Sequence, residues 1–468
     1  MTNIKFGTDG WRAIIAQEFT VDNVARVAEG TAKWLLKNNN QPEIMLGHDC
    51  RFAGQLFCET VTKVMCSLGV KVHLAKDFVS TPMISLGTVK LKKDLGIIIT
   101  ASHNPPEYNG FKLKGSFGGP LQPQYVAEIE NLIPEKCTVN LESIALDQLI
   151  STGMLTYVNL EDMYVDHVKA HFDLDVIKNS GLNLAYDAMY GAGQNVMKRI
   201  LPGLTFLHCD YNPSFMGQAP EPIHKNLTEF SNLIKNAGNI ASGLVTDGDA
   251  DRLGFYDSKG NFVDSHHLIL LLIHYLYKYK GMRGKVCTAF STTPKVAKLC
   301  KFYGIEIETV KIGFKYIAEI MVKEDILLGG EESGGIAIKG HIPERDGIWM
   351  GLTLWEFMAK SGKTLNDLIN EVYEIVGEFS FERNDLTLKE EVKQKVLANC
   401  KSGKYTSFGK YKVVKEEDLD GYKYFFENGD WLMIRASGTE PVLRMYAESN
   451  SKAAANDILT ESKAALLN

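Results

Sequence analysis

The sequence is short of several things at once. None of its eight cysteines, at positions 50, 58, 66, 137, 209, 287, 300 and 400, forms a Cys-x-x-Cys pair. That argues against a zinc ribbon or a dithiol redox centre and leaves buried, reduced thiols as the expectation. Positive charge is not in excess: 51 Lys and Arg against 57 Asp and Glu give a net charge of -6. Such a chain offers no electrostatic footprint for nucleic acid. No apolar run reaches the ~20 residues of a membrane helix, and the longest, around 267–279, is broken by His274 and lysines. The opening MTNIKFGTDGW lacks the apolar core of a signal peptide. These absences read as a cytoplasmic protein with no nucleic-acid and no membrane partner.

Two catalytic signatures are also missing. Without Gly-x-Ser-x-Gly there is no esterase-type nucleophile elbow. YGAGQNV, with Asp210 following 17 residues after Gly193, imitates a dinucleotide-binding fingerprint, but Val196 occupies the third glycine position.

What is present is a chain of 468 residues, 45% hydrophobic and 23% charged, long enough for several domains of ~100–150 residues. Short apolar runs ending in polar, glycine-rich loops recur in three sets. They are 44–51, 70–75 and 95–104; then 182–193, 204–213 and 242–252; then 285–294, 305–313 and 326–335. Helix-like stretches such as 54–68 and 294–303 lie between them. Alternation of this kind predicts α/β domains with parallel, doubly wound sheets. The last ~90 residues alternate like antiparallel strands and close on a helical segment. The expected domains are 1–145, 155–262, 263–375 and a smaller α+β domain over 380–468, joined by a polar stretch near 376–386.

Ligands of open α/β sheets gather at the carboxyl ends of strands, and four loops in such positions carry chemistry. TDGDADR places Asp247, Asp249 and Asp251 at alternate positions. Hard carboxylate oxygens suit Mg²⁺ or Ca²⁺, and the adjacent Arg252 supplies a phosphate fork. An EF-hand fails by counting: position six is Arg252 and position twelve is Ser258. An isolated Asp-Gly-Asp is more often a solvated turn; three aspartates and an arginine after a buried strand favour a metal. IIITASHNP ends an apolar strand on Ser102, His103 and Asn104. Taken alone it is a capped turn; beside a metal loop, Ser102 becomes a residue that could carry phosphate. GGEESGG offers Glu331 and Ser333 for sugar hydroxyls, with glycines for close approach. RASGTEPVLR offers Arg435, Ser437, Gly438, Thr439 and Arg444 to a dianionic phosphate. GTDGWRA adds Arg12, a weak signal by itself.

TASHNP, DGDADR, GGEESGG and RASGTEP, in this order and one per inferred domain, resemble the α-D-phosphohexomutase superfamily, most closely its bacterial phosphoglucomutase/phosphomannomutase members. The resemblance spans nearly the whole chain. It implies three α/β domains around a central cleft with a smaller C-terminal domain, and a monomer or homodimer acting on a hexose phosphate. It implies that Ser102 becomes the phosphoserine and that Ser102, Asp247, Asp249 and Asp251 hold Mg²⁺. Arg252 would steady the transferring phosphate, while Glu331 and Ser333 hold the sugar. Arg435, Ser437, Gly438, Thr439 and Arg444 would grip the other phosphate. Lys112, Arg12 and His103 are the acid/base candidates, and Lys315 resembles a lysine of glucose-directed members. The implied reaction interconverts hexose 1-phosphate and 6-phosphate through a 1,6-bisphosphate, with glucose 1,6-bisphosphate as activator. GEESGG favours glucose. Phosphoglucosamine mutases more often have Gln where Glu332 stands, and mannose-centred members have His where Gly335 stands. Phosphomannomutase and phosphoglucosamine mutase are therefore the alternatives, and a non-catalytic sugar-phosphate sensor is the rival of a different class.

Overall fold

A computed structural model describes residues 3–436 and 442–467. The chain divides into two compact units, Met1–Cys287 with Gly313–Ile369, and Thr288–Ile312 with Asn370–Asn468.

In the first unit, the apolar runs read from the sequence fold as strands. A six-stranded sheet runs Trp11–Ile14, Tyr108–Gly115, Leu95–Ile99, Glu43–His48, Lys71–Ala75, Leu155–Val158. Its last four strands are parallel; Leu95–Ile99 is buried throughout and Glu43–His48 in its middle, while the edge strand Leu155–Val158 buries only Leu155. The first two join antiparallel. A five-stranded sheet, Phe262–Val263, Leu253–Asp257, Ile240–Thr246, Asn183–Asp187, Thr205–Leu207, has the same plan: a parallel centre and an antiparallel edge. The sheets are thus mixed rather than wholly parallel. After each site loop the chain returns at once as a hairpin strand, which needs no crossover helix.

Helices cover the faces of these sheets. Val21–Asn38 is capped by Thr20, whose side chain accepts the Asn23 N–H, and turns its Val24, Val27, Ala28 and Leu35 into the core with Ile44, Leu46 and Ile97. Gly54–Ser67 packs Phe57, Val61, Val64 and Met65 into the same core. The third motif lies on a hairpin of Ile326–Gly330 and Ile336–Ile338. The apolar run near 267–279 is a buried helix, Ser265–His274, extended by a wider turn through Tyr279. No described helix is long and apolar enough to cross a membrane.

The second unit carries an antiparallel sheet ordered Ser380–Thr387, Val442–Ser449, Trp431–Ala436, Tyr422–Phe426, Tyr411–Glu417, Ser407–Phe408. Helices Glu390–Lys401 and Lys452–Leu467 close a core of Val396, Tyr424, Leu432, Ile434, Met445 and Ile458. The stretch near 376–386, read from the sequence as a polar joint, instead supplies an edge strand. Eight consecutive residues pair in unbroken register with 442–449; an edge strand needs only one apolar face, so a polar sequence is no bar. All eight cysteines are free thiols, and all but Cys137 are buried.

Candidate active site

Strand Leu95–Ile99 is buried along its whole length and delivers its chain end to the site. Ser102 there has φ of +53°, a left-handed conformation that costs an L-residue about 1–2 kcal/mol. The surroundings impose it. The Ser102 N–H donates to Thr100 Oγ1 at 2.9 Å, and Thr100 Oγ1 donates to Asp49 Oδ2 at 2.5 Å. The Asn104 N–H closes on the Ala101 carbonyl at 3.0 Å. Arg51, 1% exposed, then ties the loop down. Its Nη2 donates to the carbonyls of Ser102 (2.7 Å) and Asn104 (2.6 Å), its Nη1 to those of Pro105 (2.8 Å) and Tyr108 (3.0 Å). Burial lifts the Asp49 carboxyl to about 6 despite the neighbouring Arg51.

The aspartate loop is the turn of the hairpin Ile240–Thr246/Leu253–Asp257. Asp247, Asp249 and Asp251 are fully buried, with one oxygen from each lying within 4.8 Å of the others. Asp247 Oδ2 accepts the Ser102 hydroxyl at 2.7 Å. Close approach of the two loops depends on Gly248, where a Cβ would lie 2.5 Å from the Ser102 carbonyl oxygen. Burial, and then repulsion from Asp249 and Asp251, raises the Asp247 carboxyl well above the carboxylate range. Burial would raise Asp249 too, but Lys112 and the Thr81 hydroxyl together hold that carboxyl low. Oδ1 of Asp249 and Oδ1 of Asp251 are buried without a hydrogen-bond partner. Buried carboxylate oxygens with no donor, converging beside a serine hydroxyl, fit a small hard cation such as Mg²⁺.

Lys112 and Lys114 share a face of strand Tyr108–Gly115, two residues apart, and both are fully buried. Lys112 Nζ bridges Asp249 (2.7 Å), Asp9 (2.8 Å) and Asp251 (3.1 Å). Burial alone would lower its ammonium; Asp249, Asp251 and Asp9 overcome this and hold it charged. His103 behaves oppositely: burial, then the charges of Arg252 and Arg12, keep it neutral, with Nδ1 3.4 Å from Ser102 Oγ. Arg12 Nη1 donates to Asn104 Oδ1 at 2.6 Å. The Arg252 N–H donates to Asp247 Oδ1 at 3.1 Å. The serine, the aspartates, His103, Lys112, Arg12 and Arg252 thus meet in one place.

Several participants escape a reading of the sequence. Arg345, 3% exposed, reaches Asp251 Oδ2 (2.7 Å) and Asp9 Oδ2 (2.5 Å) through Nη2. Lys114 pairs with buried Glu344 at 2.7 Å. Thr81 Oγ1 donates to Asp249 Oδ2 at 2.5 Å. Arg345 lies just before the Asp346 cap of helix Gly347–Ser361, so a basic residue beside a recognisable cap is the available signal. Arg51 ends an apolar strand run but sits in a loop with no motif of its own.

In the sugar-like loop Glu331 is buried, and its Oε1 accepts the Gly313 N–H at 2.9 Å. Burial raises its carboxyl to about 7 against the pull of Arg345. Ser333 is half-buried. Lys315, from helix Phe314–Lys323, lines a cavity of about 140 Å³ with Thr8, Asp9 and Gly10.

In the second unit Arg435 and Arg444 are direct cross-strand partners. Asp420 lies 3.3 Å from Arg435 Nε. Ser437, Gly438 and Thr439 lie outside the described residues.

Fold and comparisons together define a class: a phosphohexomutase, an intramolecular phosphotransferase of sugar phosphates. Profiles described as phosphoglucomutase/phosphomannomutase α/β/α domains I, II and III match residues 3–139, 162–260 and 264–376, and the C-terminal domain profile matches 390–464. The chain belongs to the phosphoglucomutase/phosphomannomutase family, within the α-D-phosphohexomutase superfamily. Among its relatives, a phosphoglucomutase/phosphomannomutase of Thermococcus kodakarensis is 28% identical over 97% of this chain and 96% of its own. A phosphoglucosamine mutase of Methanococcus maripaludis is 31% identical over 89% of this chain and 90% of its own. A crystal structure from Thermus thermophilus, provisionally described as a phosphomannomutase, superposes with a TM-score of 0.88 at 31% identity over 100% of both chains.

Proposed function

We propose that the protein interconverts hexose 1-phosphates and 6-phosphates through a phosphoryl group carried on Ser102 Oγ. The observation that supports this best is the contact of Ser102 Oγ with Asp247, at 2.7 Å, beside the orphaned oxygens of Asp249 and Asp251. In the forward half-reaction a sugar hydroxyl oxygen attacks the phosphorus, the P–Oγ bond breaks and its electrons pass to Oγ. The proton of the attacking hydroxyl passes to His103, neutral and next to Oγ, and from it to the departing Oγ, while Lys112, held as an ammonium, offsets the negative charge of the transferring group. Mg²⁺ held by Asp247, Asp249, Asp251 and the phosphoserine would supply electrostatic stabilisation to that group. Arg12 and Arg252 would orient the phosphoryl oxygens. The hexose 1,6-bisphosphate then returns its other phosphate to Ser102, regenerating the enzyme.

Glu331 and Ser333 would hold sugar hydroxyls, with Lys315 toward the phosphate end. Arg435 and Arg444 stand directly opposite each other on neighbouring strands, and two guanidinium forks on one sheet face suit a dianionic phosphate, which supports them as the clamp for the non-transferring phosphate, with Ser437, Gly438 and Thr439. On the sugar, the glucose preference suggested by Glu332 and Gly335 gives way to a broader reading. The names of the relatives support mannose or glucosamine phosphate at least as well, and we infer that one of these is turned over at least as fast as glucose phosphate.

The chemistry is tested by incubating the protein with hexose 1,6-bisphosphate labelled in phosphorus and mapping the label. Label on the peptide containing Ser102, and none in Ser102→Ala, is expected. Label elsewhere, or equal labelling of the variant, would remove Ser102 from its role.

A further inference from the structure

We propose that Arg345 is a positioning residue for the cation-binding aspartates, and that residue 335 in the sugar loop is glycine because this arginine must pass over it. The inference rests on the reading of Asp247, Asp249 and Asp251 as a metal site. It starts from an asymmetry in two carboxylates. Asp249 Oδ2 is gripped by Thr81 Oγ1 (2.5 Å) and Lys112 Nζ (2.7 Å), and Asp251 Oδ2 by Arg345 Nη2 (2.7 Å) and Lys112 Nζ (3.1 Å). Oδ1 of each is buried and has no partner. The outer donors therefore hold one oxygen of each carboxylate and leave the other without a protein donor, as groups behind metal ligands do.

Lys112 spans both aspartates; Arg345 holds Asp251 alone, and its reach depends on the sugar loop. A Cβ at Gly335 would lie 2.4 Å from Arg345 Cδ and 3.1 Å from Cγ. Those atoms are the middle of the side chain, not a free end. Beyond them the guanidinium is fixed by Asp9 at 2.5 Å, by Asp251 at 2.7 Å and over the Phe314 ring at 5.5 Å. The arginine cannot give way to a methyl group and keep Asp251. On its other side the same Cβ would meet Glu331 Oε2 at 3.5 Å. One side chain thus runs from the loop read as sugar-binding to the loop read as metal-binding, and the glycine is what lets it through. Residue 335 governs the metal site through Arg345, without itself touching the metal ligands.

The test measures Mn²⁺ affinity by electron paramagnetic resonance on sugar-free protein, for wild type, Gly335→Ala, Arg345→Ala, Arg345→Lys and the Gly335→Ala/Arg345→Ala double variant. Removal of outer donors typically weakens metal binding about 10–100-fold, and that loss is expected for Gly335→Ala and Arg345→Ala, with partial recovery in Arg345→Lys. The double variant should bind like Arg345→Ala alone, because the glycine acts only through the arginine. If Arg345→Ala fails to fold, Gly335→Ala, which keeps every charge, decides. Wild-type affinity in Gly335→Ala, or additive losses in the double variant, would overturn the inference and leave the metal reading intact. No Mn²⁺ binding by the wild type would overturn both.

Discussion

Replacing Arg51 should loosen the serine loop more than any other single change outside the loop. Its guanidinium makes four hydrogen bonds to the carbonyls of Ser102, Asn104, Pro105 and Tyr108. At about 1.5–3 kcal/mol for each bond to a charged group, the gross loss is roughly 6–12 kcal/mol. Three of those residues, Asn104, Pro105 and Tyr108, are only half-buried, so water can replace part of what is lost. A net cost of about 3–5 kcal/mol then follows, the range for breaking a buried charge interaction. The left-handed backbone of Ser102 adds a strain of about 1–2 kcal/mol that favours the opened loop. In a chain of two compact units the sensitive readout is local. Hydrogen exchange across 100–110 in Arg51→Met should accelerate at least about 100-fold, since each 1.4 kcal/mol is worth a factor of ten. Arg51→Lys should fall between, because an ammonium lacks the planar fork that reaches four carbonyls. Exchange within about threefold of wild type in Arg51→Met would refute the reasoning, since 3 kcal/mol could not then be stored in those bonds.

Other outcomes follow from the same geometry. Gly248→Ala should reduce turnover about 100-fold, as a misplacement near 1 Å does, with a modest fall in melting temperature; full activity would show that the two loops need not approach so closely. The Glu331 carboxyl is held at about 7 against an ordinary 4.5 by burial. Its contribution to stability is present below 4.5 and is lost as pH rises through about 7, so Glu331→Gln should flatten the decline in melting temperature over that window. An unchanged decline would place the titration elsewhere. Substrate affinity should rise over the upper part of the same window as the carboxylate forms, and should not do so in Glu331→Gln. Chelation of divalent cations should stop turnover and Mg²⁺ restore it; turnover that survives exhaustive chelation contradicts the role given to the three aspartates.

The parts that can be read in the sequence are those where one local signal suffices. Runs such as Leu95–Ile99 and Ile240–Thr246 are apolar because both faces of a central strand are covered, and a short continuous run closed by turn residues marks them without knowledge of neighbours. The four motifs follow those strands, so their glycines, prolines and carboxylates also announce themselves. The return strands are less visible. Tyr108–Gly115 contains Lys112 and Lys114, which by composition belong on a solvated edge; both are buried because Asp9, Asp249, Asp251 and Glu344 neutralise them. Asp9 lies more than 100 residues from Lys112, and Glu344 more than 200 from Lys114. Arg345, Asp9 and Arg51 stay hidden for the same reason: each reads locally as a turn or surface charge, and only the assembled loops make it a buried partner. The edge strand Ser380–Thr387 is masked by its polarity, since backbone pairing along one side places few demands on side chains.

The most direct test of the central claim follows ³¹P signals of glucose, mannose and glucosamine 1-phosphates with Mg²⁺ and a trace of glucose 1,6-bisphosphate, for wild type and Ser102→Ala. Conversion to the 6-phosphate by the wild type, fastest with mannose or glucosamine phosphate or equal to glucose, and none by the variant, is the predicted result. Equal conversion by Ser102→Ala, or none of any sugar by a folded wild-type protein, would contradict it.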